Sequence, residues 1–187
     1  EERDRADLGR LIAQPSISAQ NVGVRECAAL FLDLLTGAGL TARLMPTAAH
    51  PIVYAEWLGA PGAPTILIYG HYDVQPPEPY ELWDSPPFEP TIRNGRIYAR
   101  GIGDNKGQHF AQLMALESHL KITGELPCNV IFLLEGEEEI GSPHIAEFVA
   151  EHADKLDADL VVTSDGPLHE SDTPIITFGV RGVASFE

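Results

Sequence analysis

Three short apolar runs in this sequence each end in a histidine or an acid. Residues 66–69 lead into Gly70-His71-Tyr72-Asp73, residues 130–134 into Glu135-Gly136-Glu137-Glu138-Glu139, and residues 160–162 into Thr163-Ser164-Asp165. Runs this short read as buried strands rather than helices. In open α/β sheets, ligands gather just beyond the carboxyl ends of parallel strands. If the three strands are neighbours, His71, Asp73, Glu138, Glu139 and Asp165 converge on one crevice. Two carboxylates about 4 Å apart repel by roughly 4 kcal/mol at an effective dielectric of about 20. Several of them share a site only when protonated or when a multivalent cation sits among them. An imidazole in the same cluster favours a metal.

Each residue also has a plainer reading. His71-x-Asp73 places two polar side chains on one side of an extended segment, which suits either a structural pair or a ligating imidazole held by a carboxylate. Asp104 stands between Gly103 and Asn105-Lys106 at the entrance to a helix, where an N-cap is the ordinary role. The glycines around it, Gly101-x-Gly103-x-x-x-Gly107, match neither the dinucleotide fingerprint nor a phosphate loop. A glutamate run is usually a solvated face, but Glu137-Glu138-Glu139 follows a buried strand. There one glutamate can bind metal while its neighbour accepts a proton from water that the metal has made acidic. Asp165 alone reads as a turn former; its place after the third strand raises its standing. His109 and His119 fall on a helix and read as surface or packing residues. No Gly-x-Ser-x-Gly elbow is present.

The elements that must position these groups alternate between helix and strand. Helices are expected over residues 3–13, 24–36 and 106–121, and a fourth opens at Ser142-Pro143, read as N-cap and first-turn proline, and runs to about residue 153. Strands are expected over 40–45 and 52–58, before the buried runs. Residues 92–99 read as a hairpin turning at Asn94-Gly95, and 175–179 and 183–187 as two further strands. A proline-rich loop after Asp73 carries Tyr80, Trp83 and Phe88, which either pin the loop to the body or meet a substrate. This order predicts an α/β fold with a mainly parallel, mixed sheet and helices on both faces.

The chain has 187 residues, enough for one sizeable core. With 12 Lys+Arg against 28 Asp+Glu, its formal net charge of -16 argues against nucleic acid or an anionic membrane as partner. No apolar stretch is long enough to span a bilayer. Cys27 and Cys128 read as free thiols of a reducing compartment, the cytoplasm. The first residue is not Met, and the last expected strand stops without a turn, so the chain reads as the front part of a larger protein.

Together these segments resemble the aminoacylase/carnosinase/glutamate carboxypeptidase family of di-zinc metallopeptidases. The matching stretches are Gly70-His71-Tyr72-Asp73-Val74-Gln75-Pro76, Tyr98-Ala99-Arg100-Gly101-Ile102-Gly103-Asp104-Asn105-Lys106-Gly107 and Glu135-Gly136-Glu137-Glu138-Glu139-Ile140-Gly141-Ser142. Trp83-Asp84-Ser85-Pro86-Pro87-Phe88 is similar to a loop of the dipeptidase branch. The resemblance implies a zinc-exopeptidase-like catalytic domain over residues 1–178, with a lid and dimerisation domain beginning at 179–187 and truncated here. It implies two divalent metal ions, Zn or alternatively Mn or Co. His71 and Asp165 would hold one ion and Glu139 the other, with Asp104 bridging both. Glu138 would be the general base, activating a metal-bridging hydroxide, and Asp73 would orient His71. A cis peptide between Asp104 and Asn105 belongs to the same set. The implied activity is hydrolysis of a peptide bond by a dipeptidase or related exopeptidase, or else deacylation of N-acyl amino acids. The implied assembly is a homodimer through the lid. A non-catalytic metal-binding regulatory module is the rival from another class. Two departures stand out: Asn105 replaces the family's usual aspartate, and its final ligating histidine has no counterpart in this chain, which alone is expected to be inactive.

Overall fold

The computed structural model describes residues 2–166 together with 171, 173, 175, 176, 179, 182 and 184. Two helices come first, α1 (Glu2–Ala13) and α2 (Val24–Gly37), then strands β1 (Thr41–Met45), β2 (Ile52–Trp57) and β3 (Thr65–His71). A hairpin of β4 (Thr91–Arg93) and β5 (Arg96–Tyr98) precedes helix α3 (Lys106–Thr123). Strand β6 (Asn129–Glu135), helix α4 (Ile145–Glu151) and strand β7 (Leu160–Thr163) complete the described elements. The hairpin turns at Asn94 and Gly95, both at positive φ (50° and 75°), as a tight two-residue turn requires. The strands expected over 175–179 and 183–187 and the domain boundary at 178/179 rest largely on residues outside the described set.

The main sheet has five strands in the order β1-β2-β6-β3-β7. β6 and β7 run parallel to β3, while β2 is antiparallel to both β6 and β1. Four of the five strands therefore point the same way, as the helix–strand alternation predicts. β6 is buried along its whole length and splits its side chains by parity. Val130, Phe132 and Leu134 pack with Phe31 and Leu35 of α2 and Phe110 and Leu113 of α3. Ile131 and Leu133 pack on the other face with Leu67 and with Phe148 of α4. Each such buried side chain stabilises the fold by about 1.5–3 kcal/mol through removal from water.

This layering creates the site. The chain leaves β3 toward α3 on one face of the sheet and leaves β6 toward α4 on the other. β3 and β6 are adjacent and in register from Thr65↔Asn129 to His71↔Glu135. Their carboxyl ends thus splay two connections apart, opening the crevice where α/β sheets bind ligands.

The start of the last helix departs from expectation. α4 begins at Ile145 rather than at Ser142-Pro143. Ser142 sits at φ 50°, outside helical geometry, and its hydroxyl donates to the Glu135 carboxylate at 2.9 Å instead of capping a helix. The proline-rich loop pins itself: Trp83 Nε1–H donates to the Pro77 carbonyl at 2.7 Å, and the Arg100 guanidinium lies 5.2 Å over the Trp83 ring.

An ion-pair triad ties α3 to α1. The nearly buried Glu117 carboxylate takes Arg3 Nη2 and Lys121 Nζ, each at 2.8 Å. Burial raises the Glu117 pKa, but these two hydrogen bonds and charges outweigh it and leave it below 4.5. A lowered carboxylate pKa stabilises the fold above the unfolded-state value and loses that contribution as pH falls through the folded value. Glu117→Gln is expected to cost about 1 kcal/mol at pH 7, a figure kept low because both partners are half-exposed. The gap to the wild type should close as pH drops below 4.5. Urea denaturation at neutral and acidic pH measures both.

Candidate metal centre

His71 is the last residue of β3 and is 1% exposed. Chain alternation turns Tyr72 into the core, where its hydroxyl donates to the Pro51 carbonyl at 2.5 Å, and returns Asp73 to the His71 side. His71 Nδ1 donates to the Asp73 carbonyl at 3.0 Å and lies 3.4 Å from its carboxylate. With Nδ1 donating to Asp73, Nε2 faces outward as the atom available to a metal ion. Nε2 is buried and makes no hydrogen bond among the described residues. Facing it are Asp104 Oδ1 at 3.1 Å, Asp165 Oδ2 at 3.3 Å and Glu138 Oε2 at 3.9 Å.

Each acid arrives by a different route. Asp104 lies in the turn before α3, joined to Asn105 by a cis peptide bond. Asn105, not Asp104, stands at the helix's N-cap position, though its side chain makes no capping hydrogen bond, and the Asp104 carboxylate faces His71. Asp165 follows β7, which pairs with β3 on the side away from β6. Glu138 and Glu139 open a 3₁₀ turn after β6. Both their backbone N–H groups donate to one carboxylate, that of the fully buried Asp73, at 3.2 and 3.1 Å. Asp73 Oδ2 also accepts the Ser18 hydroxyl at 2.6 Å.

Glu139 stands apart from the group around Nε2. Its carboxylate takes the Gln75 amide at 2.8 Å. Burial pushes its pKa up, the Gln75 bond opposes this, and the Asp104 charge adds to the rise. Glu138 is likewise raised by burial, partly offset by His71 and reinforced by Glu139 and Asp165. Burial pushes the His71 imidazole down, but the Asp73 hydrogen bond and charge outweigh it and bring it up to about 9.

The donors fit a divalent cation. One ligand atom each from His71, Asp104 and Asp165 lies within 4.8 Å of the others. With two carboxylates facing it, Nε2 is satisfied either by a proton, which the raised pKa of His71 favours in the absence of metal, or by a cation lying among the three groups. Imidazole with carboxylates suits Zn and related first-row ions.

The sequence pattern of peptidase family M20/M25/M40 matches residues 67–180. The chain belongs to that family. Its M20 relatives include the rat Beta-Ala-His dipeptidase, 34% identical over 186 residues, covering 98% of this chain and 37% of that protein. The Cys-Gly metallodipeptidase dug1 of Schizosaccharomyces pombe is 32% identical over 195 residues, covering 96% of this chain and 41% of its own. The crystal structure of the M20 family metallo-carboxypeptidase Sso-CP2 from Sulfolobus solfataricus superposes with a TM-score of 0.86 at 42% identity, over 91% of this chain and 39% of that one. This M20 chain thus spans about two fifths of the relatives it matches. The dipeptidase-like resemblance read from its motifs agrees with these names, and the metallo- prefix of two of them agrees with the donor set.

His109, expected on the surface or in packing, takes the packing alternative at 1% exposure; what the sequence reading did not foresee are its contacts with Asn105 Oδ1 and the Gln112 amide beside the site. Its signal was the spacing of Asn105, His109 and Gln112, a polar stripe on one helical face. His119, by contrast, is exposed.

Proposed function

We propose that this chain is the metal-binding part of a catalytic domain that hydrolyses dipeptides. The observation that carries this is the buried, unpartnered His71 Nε2 aimed between Asp104 and Asp165, with Glu138 at the rim. In this reading His71 and Asp165 hold one zinc ion, Glu139 holds a second, and Asp104 serves both. The position of Asp104 supports the shared role: it faces His71, and its charge acts on Glu139.

When bound, the metal ions supply Lewis acidity toward the scissile carbonyl and promote ionisation of water near neutral pH. The Glu138 carboxylate takes a proton from the attacking water and returns it to the departing amine, so that one water is added across the amide bond. Its raised pKa brings it nearer the range in which a carboxylate both accepts and returns a proton. Asp73 keeps His71 in the tautomer that presents Nε2 and holds the Glu138–Glu139 turn through its N–H groups.

Residues 1–178 belong in this reading to the catalytic domain and 179–187 to the start of a lid through which two copies pair. Residues 1–187 alone would not turn over substrate. The free Cys27 and Cys128 support a reducing, cytoplasmic setting. Among the described residues no helix is long and apolar enough to cross a membrane.

Elemental analysis of the full-length protein is expected to find two zinc ions per chain. Dialysis against a chelator should abolish hydrolysis of β-Ala-His and Cys-Gly, and zinc should restore it. Hydrolysis that survives complete metal removal would overturn the reading, and cleavage confined to N-acyl amino acids would reassign the substrate.

A further inference from the structure

Asp104 and Asp165 must be held in place by their backbones. Their side chains are largely exposed (64% and 43%), and among the described residues only His71 faces either at ion-pair distance. The segments that flank them meet on one face of α3. Asn105 Oδ1 accepts the His71 backbone N–H at 3.3 Å and contacts His109 Nε2. The Gln112 side-chain amide lies 2.9 Å from His109 Nδ1 and 2.5 Å from Ser164 Oγ. Gln108 donates to the Gly166 carbonyl at 3.2 Å, so α3 grips the chain on both sides of Asp165. Gly70 makes the approach possible, since a Cβ there would meet the His109 ring and Asn105 Oδ1.

The proton positions follow. The His71 N–H requires Asn105 Oδ1 to be an acceptor, so His109 Nε2 carries a proton and Nδ1 accepts. The structure places Gln112 Oε1 against Nδ1 and its NH₂ against Ser164 Oγ; the proton on Nε2 requires the amide to be turned over, so that NH₂ donates to Nδ1 and the carbonyl oxygen takes the Ser164 hydroxyl. Every member is neutral. An aspartate in place of the fully buried Asn105 would instead bring one more negative charge to a site already crowded with them.

We infer that Asn105, His109, Gln112 and Ser164 form an uncharged positioning relay that sets the spacing of Asp104 and Asp165 around His71, and through it the affinity for divalent metal. The inference deepens the proposed function and rests on its reading of the site as a metal centre. None of the four need touch substrate; they are positioning residues.

The test uses His109→Leu, His109→Gln, His109→Asn and Gln112→Leu in the full-length protein. Zinc affinity is read by chelator competition, and the geometry of the site by the visible absorption of the cobalt(II)-substituted protein. A glutamine amide reaches where Nε2 stood, and an asparagine amide where Nδ1 stood. His109→Leu is expected to weaken zinc about 10- to 100-fold and to shift the cobalt bands. His109→Gln should restore most of the affinity and His109→Asn should not. Gln112→Leu, at the half-buried outer end, should weaken zinc and shift the same bands. A folded His109→Leu protein with wild-type affinity and bands overturns the relay. If that variant does not fold, equal zinc binding by the Gln and Asn variants, or unchanged binding by Gln112→Leu, overturns it instead. Wild-type protein without stoichiometric metal would sink the metal-centre reading itself, and the relay with it.

Discussion

Glu138→Gln in the full-length protein is expected to keep its metal and to lower kcat for dipeptide hydrolysis by about 10²- to 10⁴-fold, the usual contribution of a positioned general base. Glutamine has the shape of glutamate and keeps the backbone N–H that Asp73 holds at 3.2 Å, so the turn stays in place. What it loses is the capacity to accept a proton. Glu138 Oε2 lies 3.9 Å from His71 Nε2, farther than Asp104 or Asp165, and it is not one of the three residues whose ligand atoms cluster. In the proposed reading Glu138 therefore serves the proton rather than the ion. KM should change little, because the lost interaction matters only as the bond breaks. Turnover at the wild-type rate would refute the base assignment. A variant that loses metal stoichiometrically would make Glu138 a ligand instead.

Much of the framework could be read from residue order because it depends on side-chain pattern. The runs that become β3, β6 and β7 are apolar and end where the chain turns polar, which marks the strands and their ends, although β7, at the sheet edge, is largely exposed rather than buried as expected. Pairing of β3 with β7 then brings His71 and Asp165 together, pairing with β6 adds Glu138 and Glu139 nearby, and the turn before α3 supplies Asp104. Three features had no comparable signal. The grip of Asp73 on Glu138 and Glu139 runs through backbone N–H groups, which every residue but proline offers. Ser142-Pro143 has the composition of a helix start, but the serine hydroxyl is drawn to the buried Glu135 carboxylate, a contact between β6 and the following turn that local pattern cannot weigh. His109 sits among Phe110, Leu113 and Leu116 in a stripe that looks apolar until its spacing to Asn105 and Gln112 is counted.

Asp73→Asn is expected to lower stability by about 2–4 kcal/mol and to weaken metal binding about 10- to 100-fold. The fully buried Asp73 carboxylate accepts the N–H groups of Glu138 and Glu139 and the Ser18 hydroxyl, and its Oδ1 faces His71 Nδ1 at 3.4 Å. A carboxylate can satisfy all these donors because it only accepts; an amide has one accepting oxygen and must turn its NH₂ against a backbone N–H. Ser18→Ala removes one of the bonds and should cost about 1 kcal/mol while leaving the glutamate turn in place. Chemical denaturation and zinc competition separate the two consequences. If Asp73 merely orients His71, its replacement should cost almost no stability in a His71→Ala background, where no imidazole remains to orient. If it also organises the Glu138–Glu139 turn, most of the stability loss should persist there. The second result is expected, because three of the donors facing Asp73 come from outside His71; a loss that vanishes with the imidazole would reduce Asp73 to a partner of His71 alone.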